Sequence, residues 1–255
     1  MKKSYRWDNL SSPAIRAMAA QEAIVLIPLG STEQHGPHLP VGTDAILATF
    51  FAEEAAKKLN EMGKPCLVAP TIAPANSMHH MNFAGSISLE PQTYMNQLQE
   101  ICRAIARHGF RRIVLVNGHG GNSHPSQAAL VSINRELGFP VYFLGYWSGT
   151  DESKFLESQK GIIHACESET SLMLAVDESL VDPIYKETKG NPGSVTSLEE
   201  AGLISTFHTM ESHTENGVMG NSYLATKEKG EAMIAEMVGN LTRILSDDCL
   251  WHGVV

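Results

Sequence analysis

The chain contains few of the features that mark membrane, secreted or nucleic-acid-binding proteins. Its 255 residues include four cysteines, and 19 Lys and Arg stand against 28 Asp and Glu, a formal net charge of −9 at pH 7. Because negative charge repels nucleic acid and anionic membrane surfaces, neither is an expected partner. The longest apolar run, Ala23–Leu29, is far shorter than the roughly 20 residues that span a bilayer, so no transmembrane helix is predicted.

Targeting and disulfide signals are scarce as well. The N-terminus shows no apolar segment of the kind found in secretory signal peptides, which favours a cytoplasmic location. The cysteines are scattered without CxxC spacing in a chain long enough to fold without disulfides, so they are interpreted as reduced, mostly buried thiols. With 43% hydrophobic and 18% charged residues, the composition is that of an ordinary globular protein.

Short apolar runs alternate along the chain with segments of helical periodicity. This alternation is typical of βαβ units and predicts an α/β fold with a mostly parallel sheet covered on both faces. The predicted strands are Ala23–Leu29, Cys66–Ile72, Ile113–Val116 and Val141–Leu144. The predicted helices are about Ala45–Leu59, Gln92–His108, Pro125–Glu136, Glu167–Glu178 and Thr226–Leu245.

One segment, Glu187–Asn221, has no clear periodicity and is predicted to be a long irregular excursion with a role in function or assembly. No internal repeat or low-complexity tract divides the chain. Residues 1–255 are therefore predicted to form one domain.

Ligand-type side chains follow the first predicted strand, within Gly30–Asp44. Glu33 and His35 are spaced i, i+2 and would project to one side of an extended segment, and Asp44 would open the following helix. Two carboxylates and an imidazole at the carboxyl end of a parallel strand suit a divalent metal such as Zn²⁺, Mn²⁺ or Fe²⁺. Alternatively the acids cap a helix or lie on the surface, but the glycines and prolines here specify tight turns that a solvated loop would not need.

His119 lies among glycines in a turn after the third predicted strand. Gly118, Gly120 and Gly121 leave room for a metal or substrate to approach the backbone closely, so His119 is predicted to be a ligand or a catalytic group. The turn could instead hold a phosphate at a helix N-terminus or be a plain turn, although it lacks the GxGxxG spacing and the P-loop lysine.

A third cluster, HACESETS at 164–171, places a histidine and two glutamates at the start of a helical run. His164 is a candidate general acid or base because an imidazole titrates near neutrality. The alternative is a capped helix in which Glu167 or Glu169 favours the dipole. Of the adjacent pair His79 and His80, one is a candidate for substrate contact. The histidines interpreted as structural are His108, His124, His208, His213 and His252.

These clusters, in this order and with these spacings, resemble the creatininase (creatinine amidohydrolase) family. The matching stretches are Leu29–Asp44, Val116–Asn122, His164–Ser171 and, more weakly, Phe83–Leu89 and Asn216–Gly230. The resemblance implies a single three-layer α/β/α domain with a mostly parallel central sheet. It also implies a site for two divalent ions, with Zn²⁺ first and Mn²⁺ or Fe²⁺ as alternatives, and assembly as a homohexamer.

The resemblance also implies residue roles. The implied metal ligands are Glu33, His35, Asp44, His119 and Glu167, with Asp44 bridging the two ions. Creatininase carries a glutamate two residues after the histidine of the glycine-rich turn, where this chain has Gly121. Relatives with glycine there generally carry a glutamate in the third motif, so Glu167 is predicted to be the fifth ligand. Glu169 would then lie behind the ligands or cap the helix, and the reverse assignment stays open.

The implied reaction is hydrolysis by a metal-bridged hydroxide that attacks an amide carbonyl, with His164 protonating the leaving nitrogen and Glu167 also counted among the catalytic residues. The residues expected to contact the substrate are Ser77, His80, Gly120 and Gly121. The substrate would be a small, cyclic amide such as creatinine or a related compound. Family relatives that act on a formamide, a peptide or a cyclic sugar ketone are the alternatives.

Creatinine itself is disfavoured because Gly121 replaces the turn glutamate, and because Ala84 and Ser86 stand where the family usually has Pro and Thr. Two non-enzymatic alternatives remain. One is a phosphate-binding protein that uses the turn at Gly118–Gly121. The other is a regulatory or scaffold protein with a structural metal, although structural zinc sites commonly use cysteine and only Cys166 lies near a cluster.

Overall fold

A computed structural model of the chain describes residues 5–191 and 203–252. Within them, a central sheet contains four strands in the order β2-β1-β3-β4, and every neighbouring pair is parallel. The strands are β1 (Ile24–Leu29), β2 (Cys66–Val68), β3 (Arg112–Asn117) and β4 (Tyr142–Gly145). β1 and β3 are central, and both are buried along nearly their whole length.

Helices cover both faces of the sheet. The helices are α1 (Ser12–Ala19), α2 (Thr43–Glu61), α3 (Pro91–Arg107), α4 (Ser123–Leu137), α5 (Glu167–Asp177) and α6 (Lys227–Ser246). Residues of α2, α5 and α6 share one apolar core with Ile24 and Leu26 of β1, whereas α1, α3 and α4 share the other with Val25 and Ile27. Alternate residues of one strand thus enter opposite cores, as the pleat requires. The predicted three-layer α/β/α fold is confirmed.

The strand and helix predictions hold with two differences. α1 was not predicted, and β2 ends at Val68 rather than at Ile72. Pro70 has no N–H to donate to the ladder, so regular pairing stops, and the chain pairs with β1 again at Ile72, whose N–H donates to the Pro28 carbonyl at 2.9 Å.

The cysteines and the predicted irregular segment agree with the sequence only in part. Cys66, Cys102 and Cys166 are free and buried, as predicted, while Cys249 is free and exposed. Residues 192–202 of the predicted irregular excursion lie outside the described residues, and its described flanks contain only short 3₁₀ turns, as at Met210–Ser212. No helix in the described part of the chain is long and apolar enough to cross a membrane.

Two glycines bring the first turn of α2 against the ends of the central strands. A Cβ at Gly30, just after β1, would lie 2.4 Å from Ala45 Cα, and one at Gly118, just after β3, would lie 2.8 Å from the Asp44 carbonyl oxygen. Both contacts are far closer than a side chain tolerates. Glycine at these positions therefore allows α2 to begin directly over the carboxyl ends of β1 and β3.

Candidate metal centre and cavity

Three of the sequence clusters converge at the carboxyl ends of β1 and β3. Because Leu29 and Asn117 are register partners in adjacent parallel strands, the segments that follow them leave the sheet side by side. Glu33 lies in the segment after β1, and His119 lies in the segment after β3. Asp44 projects from the first turn of α2. This is the edge at which parallel α/β sheets commonly build their sites.

Asp44 lies between two imidazoles. Its Oδ1 is 3.2 Å from His35 Nε2, and its Oδ2 is 3.1 Å from His119 Nδ1. All three side chains are almost completely buried. The two oxygens of one carboxylate thus face ligand-type nitrogens on opposite sides, the geometry that a bridging ligand needs.

Glu33 is the second carboxylate at the centre of the cluster. Its Oε2 accepts a hydrogen bond from Ser77 Oγ at 2.5 Å and lies 3.2 Å from His119 Nε2. Its Oε1 lies 3.2 Å from His80 Nε2 and 3.5 Å from His164 Nδ1. The ring of His79 completes the group, since Glu33, His79 and His119 offer ligand atoms within 4.8 Å of one another.

The third carboxylate of the cluster belongs to Glu169, not to Glu167. Glu169 Oε1 is 4.0 Å from His35 Nε2, and its Oε2 accepts a hydrogen bond from the Ala165 N–H at 2.5 Å. His35, Asp44 and Glu169 offer ligand atoms within 4.8 Å of one another. Both glutamates start α5, but residues two apart on a helix point in different directions.

Glu167 takes a different position from the one predicted for it. Its buried carboxylate accepts hydrogen bonds from Lys229 Nζ at 2.6 Å and from the Glu157 N–H at 3.1 Å, with further bonds from Ser158. These contacts use the carboxylate to tie α5 to α6 and to the 157–158 loop. The cluster therefore contains Glu169 in place of the predicted Glu167, because local spacing does not reveal which of the two glutamates Lys229 engages.

The cluster leaves polar atoms that a bound cation would satisfy. Glu33 Oε1, His35 Nε2 and Asp44 Oδ2 are buried, and although each lies 3.1–3.2 Å from a ring nitrogen or a carboxylate oxygen, none of these contacts within the described residues has hydrogen-bond geometry. Three buried carboxylates close together are costly unless cations compensate them. Carboxylate oxygens mixed with imidazole nitrogens suit Zn²⁺, Mn²⁺ or Fe²⁺. On this test, the residues fit a site for divalent metal.

Burial and charge oppose each other in the titration of this cluster. Burial lowers the pKa of His35, but the adjacent carboxylates, Asp44 first, outweigh burial and raise that pKa to about 10. Burial raises the pKa of Glu169 to about 7, although the nearby His35 favours the carboxylate. The pKa of His119 also ends well above its ordinary value, since Glu33 and Asp44 outweigh its burial. The metal-free cluster therefore retains protons near neutral pH.

Two other imidazoles are held neutral. Burial lowers the pKa of His80 to about 3 and outweighs the attraction of Glu33. Burial and the neighbouring His35 hold the pKa of His164 well below its ordinary value. At neutral pH each of these rings therefore carries one N–H and one lone pair.

A cavity of about 520 Å³ opens onto the cluster. Three of the four residues expected to contact the substrate line it, namely His80, Gly120 and Gly121. The fourth, Ser77, is fully buried and does not line it, because its hydroxyl bonds to Glu33 and to Ser31. The remaining wall is mixed in character, with Trp147, Thr150, Lys160, Ile162, Ile163, Met210 and Met219 among the lining residues.

Gly121 stands where a side chain would not fit. A Cβ there would lie 2.4 Å from His119 Nε2 and 2.5 Å from the Asn76 carbonyl oxygen. Asn76 also donates through its Nδ2 to the Gly121 carbonyl at 2.9 Å, which holds this loop against the turn. The glutamate that creatininase carries at this turn therefore has no space here, and Glu169 reaches the cluster from α5.

Two residues contribute to the cluster beyond the roles that the sequence motifs predict. His79 belongs to the cluster together with its neighbour His80, because the short 3₁₀ turn Met78–His80 directs both rings toward the cavity. Gln34 lies between the predicted ligands Glu33 and His35, and its side-chain Nε2 is 3.0 Å from both His80 Nδ1 and His164 Nε2. The one feature of the sequence that points to Gln34 is its position inside the longest motif, between two predicted ligands.

Comparison with known proteins gives consistent matches. Residues 8–245 match the family model named Creatininase, described as creatinine amidohydrolase. A mycofactocin precursor peptide peptidase from Mycobacterium ulcerans (strain Agy99) is 33% identical over 237 residues, which cover 89% of this chain and 82% of the relative.

Two solved structures also match across nearly the whole chain. One, titled Creatininase Mn, has a TM-score of 0.83 at 28% identity and covers 95% of this chain and 98% of its own. The other, a mutant creatininase of Zn-Zn type, has a TM-score of 0.82 at 27% identity and covers 96% of this chain and 98% of its own.

Proposed function

This chain belongs to the creatininase family of hydrolases, and from this premise we propose that it is a two-metal amidohydrolase. The observation that carries the proposal is the set of buried atoms whose contacts lack hydrogen-bond geometry, Glu33 Oε1, His35 Nε2 and Asp44 Oδ2, next to a cavity that Glu33 and Asp44 line. The proposed ligands are Glu33, His35, Asp44, His119 and Glu169. Asp44 would bridge, since its two oxygens face two different imidazoles.

Zn²⁺ is the first choice of metal, with Mn²⁺ and Fe²⁺ as alternatives, and the titles of the two matched structures name zinc and manganese. When bound, two divalent ions supply a nucleophile from water at neutral pH and polarise a substrate carbonyl. Assembly as a homohexamer, a cytoplasmic location and one domain over residues 1–255 remain predictions.

His164 is the proposed proton carrier. Its Nε2 lies 2.8 Å from the Gln34 backbone carbonyl, which can only accept, so Nε2 carries the N–H and Nδ1 faces the cluster with a lone pair. A neutral imidazole in this orientation would accept a proton of the attacking water at Nδ1 and then deliver that proton to the leaving nitrogen as the C–N bond breaks. The protonated donor therefore forms during turnover rather than in the resting protein.

The proposed substrate is a small amide, a cyclic one such as creatinine or a related compound in the first instance. A peptide is the second candidate, because the 33% identical relative is named as a peptidase of a precursor peptide. The phosphate-binding alternative at Gly118–Gly121 is disfavoured, because the cavity over this turn is lined by the carboxylates of Glu33, Asp44 and Glu169, which repel an anion.

A substrate panel tests the proposal. Zinc-loaded and manganese-loaded protein is offered creatinine and other cyclic amides, a formamide, short peptides and a cyclic ketone. We expect hydrolysis of at least one amide, loss of activity on chelation, and a roughly 100-fold or greater loss of turnover in His164→Ala with metal content unchanged. Unchanged turnover in His164→Ala would show that this histidine takes no part in the reaction. If no amide in the panel is hydrolysed, the proposed reaction is contradicted.

A further inference from the structure

The buried side chain of Gln34 lies at the centre of the cluster without a role in the chemistry described above. The Gly36 N–H donates to its Oε1 at 2.9 Å, and its Nε2 donates to the Gly217 carbonyl at 3.1 Å. Since a backbone N–H only donates and a carbonyl only accepts, the oxygen and nitrogen of this amide cannot be exchanged. The orientation of the amide is therefore fixed from both sides.

The second hydrogen of the Gln34 amide has two candidate acceptors. His80 Nδ1 and His164 Nε2 both lie 3.0 Å from Gln34 Nε2. His164 Nε2 is also 2.8 Å from the Gln34 backbone carbonyl, to which it must donate, so this nitrogen has no lone pair to offer. The remaining amide hydrogen therefore points at His80 Nδ1, which must carry a lone pair.

Opposite ends of the two imidazoles consequently face Glu33. His80 presents the N–H of its Nε2, 3.2 Å from Glu33 Oε1, and His164 presents the lone pair of its Nδ1, 3.5 Å from the same oxygen. One ring is a hydrogen-bond donor at the cavity and the other is an acceptor. An N–H at His80 Nε2 also keeps that nitrogen from binding a metal.

We propose that Gln34 is a positioning residue that fixes His80 as an N–H donor and holds His164 with its Nδ1 lone pair toward the reacting groups. The tautomers follow from the hydrogen bonds alone, whereas their effect on catalysis rests on the proposed amidohydrolase function. In that reaction His80 would donate to a substrate oxygen or nitrogen, while His164 accepts the proton.

Gly217 supports the same assignment from the segment that precedes α6. Its φ of +80° is one that side chains other than glycine rarely adopt. A Cβ at this position would lie 1.8 Å from Gln34 Oε1 and 2.6 Å from Cδ. Glycine thus lets the backbone carbonyl at 217 approach the amide closely enough to fix its orientation.

The first test is spectroscopic and needs no substrate. Long-range ¹H–¹⁵N correlation spectra of zinc-loaded, ¹⁵N-labelled protein report which nitrogen of each histidine carries hydrogen. Wild type is expected to show the Nε2–H tautomer for both His80 and His164. An Nδ1–H tautomer of His80 in wild type would overturn the proposal, and this result does not depend on any variant folding.

The second test changes the amide. Gln34→Glu keeps the shape but cannot donate to His80 Nδ1, so we expect His80 to take up a proton at Nδ1 while His164 keeps its tautomer and the zinc content stays that of wild type. With the amide substrate found in the panel, kcat should fall roughly 100-fold with little change in KM. An unchanged His80 tautomer or an unchanged kcat would contradict the positioning role.

A matched control removes a neighbouring hydrogen bond without touching the amide. The Gln34 N–H donates to Ser86 Oγ at 3.1 Å, so Ser86→Ala perturbs the same residue only through its backbone. We expect this variant to retain the wild-type tautomers and kcat, and equal effects in both variants would reduce Gln34 to a packing role. If wild type hydrolyses nothing in the panel, the proposed function fails while the spectra still decide the tautomers.

Discussion

Among single residues, Glu167 and Glu169 of one motif have different partners and different roles. Glu169 faces His35 across 4.0 Å, whereas Glu167 is fully buried and bonded to Lys229. Both are carboxylates on the first turn of α5, so chemistry alone does not distinguish them. Their partners do, because a carboxylate already engaged by an ammonium group is not available to a metal.

A pair of isosteric substitutions separates these roles. Glu169→Gln should weaken metal binding by roughly 10-fold or more, because an amide is a poorer ligand than a carboxylate. Glu167→Gln should retain the metal content but lower the free energy of unfolding by about 1–3 kcal/mol, since Lys229 loses its charged partner. Elemental analysis and urea unfolding of both variants are the measurements. Loss of metal in Glu167→Gln alone would reverse the assignment.

Only part of this cluster of residues can be identified from the sequence. Glu33, His35, Asp44 and His119 were identifiable because ligand-type side chains follow strand ends amid glycines and prolines. The choice between Glu167 and Glu169 was not, because it depends on Lys229, 62 residues further along the chain. Residues brought together only by the packing of α5 against α6 leave no local pattern.

Among the secondary-structure elements, the turn after β3 depends on glycine at a position where a side chain would not fit. A Cβ at Gly121 would lie 2.4 Å from His119 Nε2, while a Cβ at the adjacent Gly120 would meet nothing within 4 Å. Gly121→Ala should therefore displace His119 and lower metal content, and Gly120→Ala should not. Metal per chain, measured for both, checks this, and equal metal content in the two variants would show that the turn adapts freely.

The contact between α5 and α6 provides a second pair of glycines. A Cβ at Gly230 would lie 1.9 Å from the Ser171 carbonyl oxygen, whereas a Cβ at Gly239 of the same helix would meet nothing within 4 Å. Gly230→Ala should destabilise the protein by about 1–3 kcal/mol through overpacking. Gly239→Ala should stabilise it by about 0.5–1 kcal/mol through helix propensity. The measurement is the denaturant midpoint of unfolding of each variant. Similar shifts of the midpoint in both variants would contradict a close contact between α5 and α6 at Gly230.

The element predictions succeeded where periodicity is strong and failed where another force decides. The buried strands β1 and β3 and the long helices are visible as apolar patterns, and their alternation is enough to predict a parallel sheet. α1 was missed because it is short, with no fully buried residue to mark a core-facing stripe. β2 was predicted too long because an apolar run continues through Pro70, where pairing cannot.

For the molecule as a whole, protons and the proposed metal ions would compete for one buried site. The pKa of His35 is raised to about 10 by nearby carboxylates that outweigh its burial, so in the metal-free protein this ring is protonated at pH 7. The pKa of Glu169 is raised to about 7 chiefly by burial, so this carboxyl group also tends to retain its proton in the metal-free protein. Because ligands must lose these protons, metal binding should release protons and tighten as pH rises from 6 to 8.

Calorimetry in two buffers of different ionisation enthalpy measures this release. The apparent heat of zinc binding at pH 7 should differ between the buffers in proportion to the protons released. Asp44→Asn is the control, because it removes a carboxylate that raises the pKa of His35 and should reduce both the release and the binding. Equal heats in the two buffers for wild type would show that the site holds no exchangeable protons.

In the proposed centre, Asp44 would bridge two divalent ions at the carboxyl ends of β1 and β3. The most direct measurement is bound metal per chain, by elemental analysis of gently purified wild type and Asp44→Asn. We expect about two ions in wild type and essentially none in the variant, because both proposed metal positions would share this carboxylate. Two ions retained by Asp44→Asn, or a wild type that takes up neither Zn²⁺ nor Mn²⁺, would contradict it.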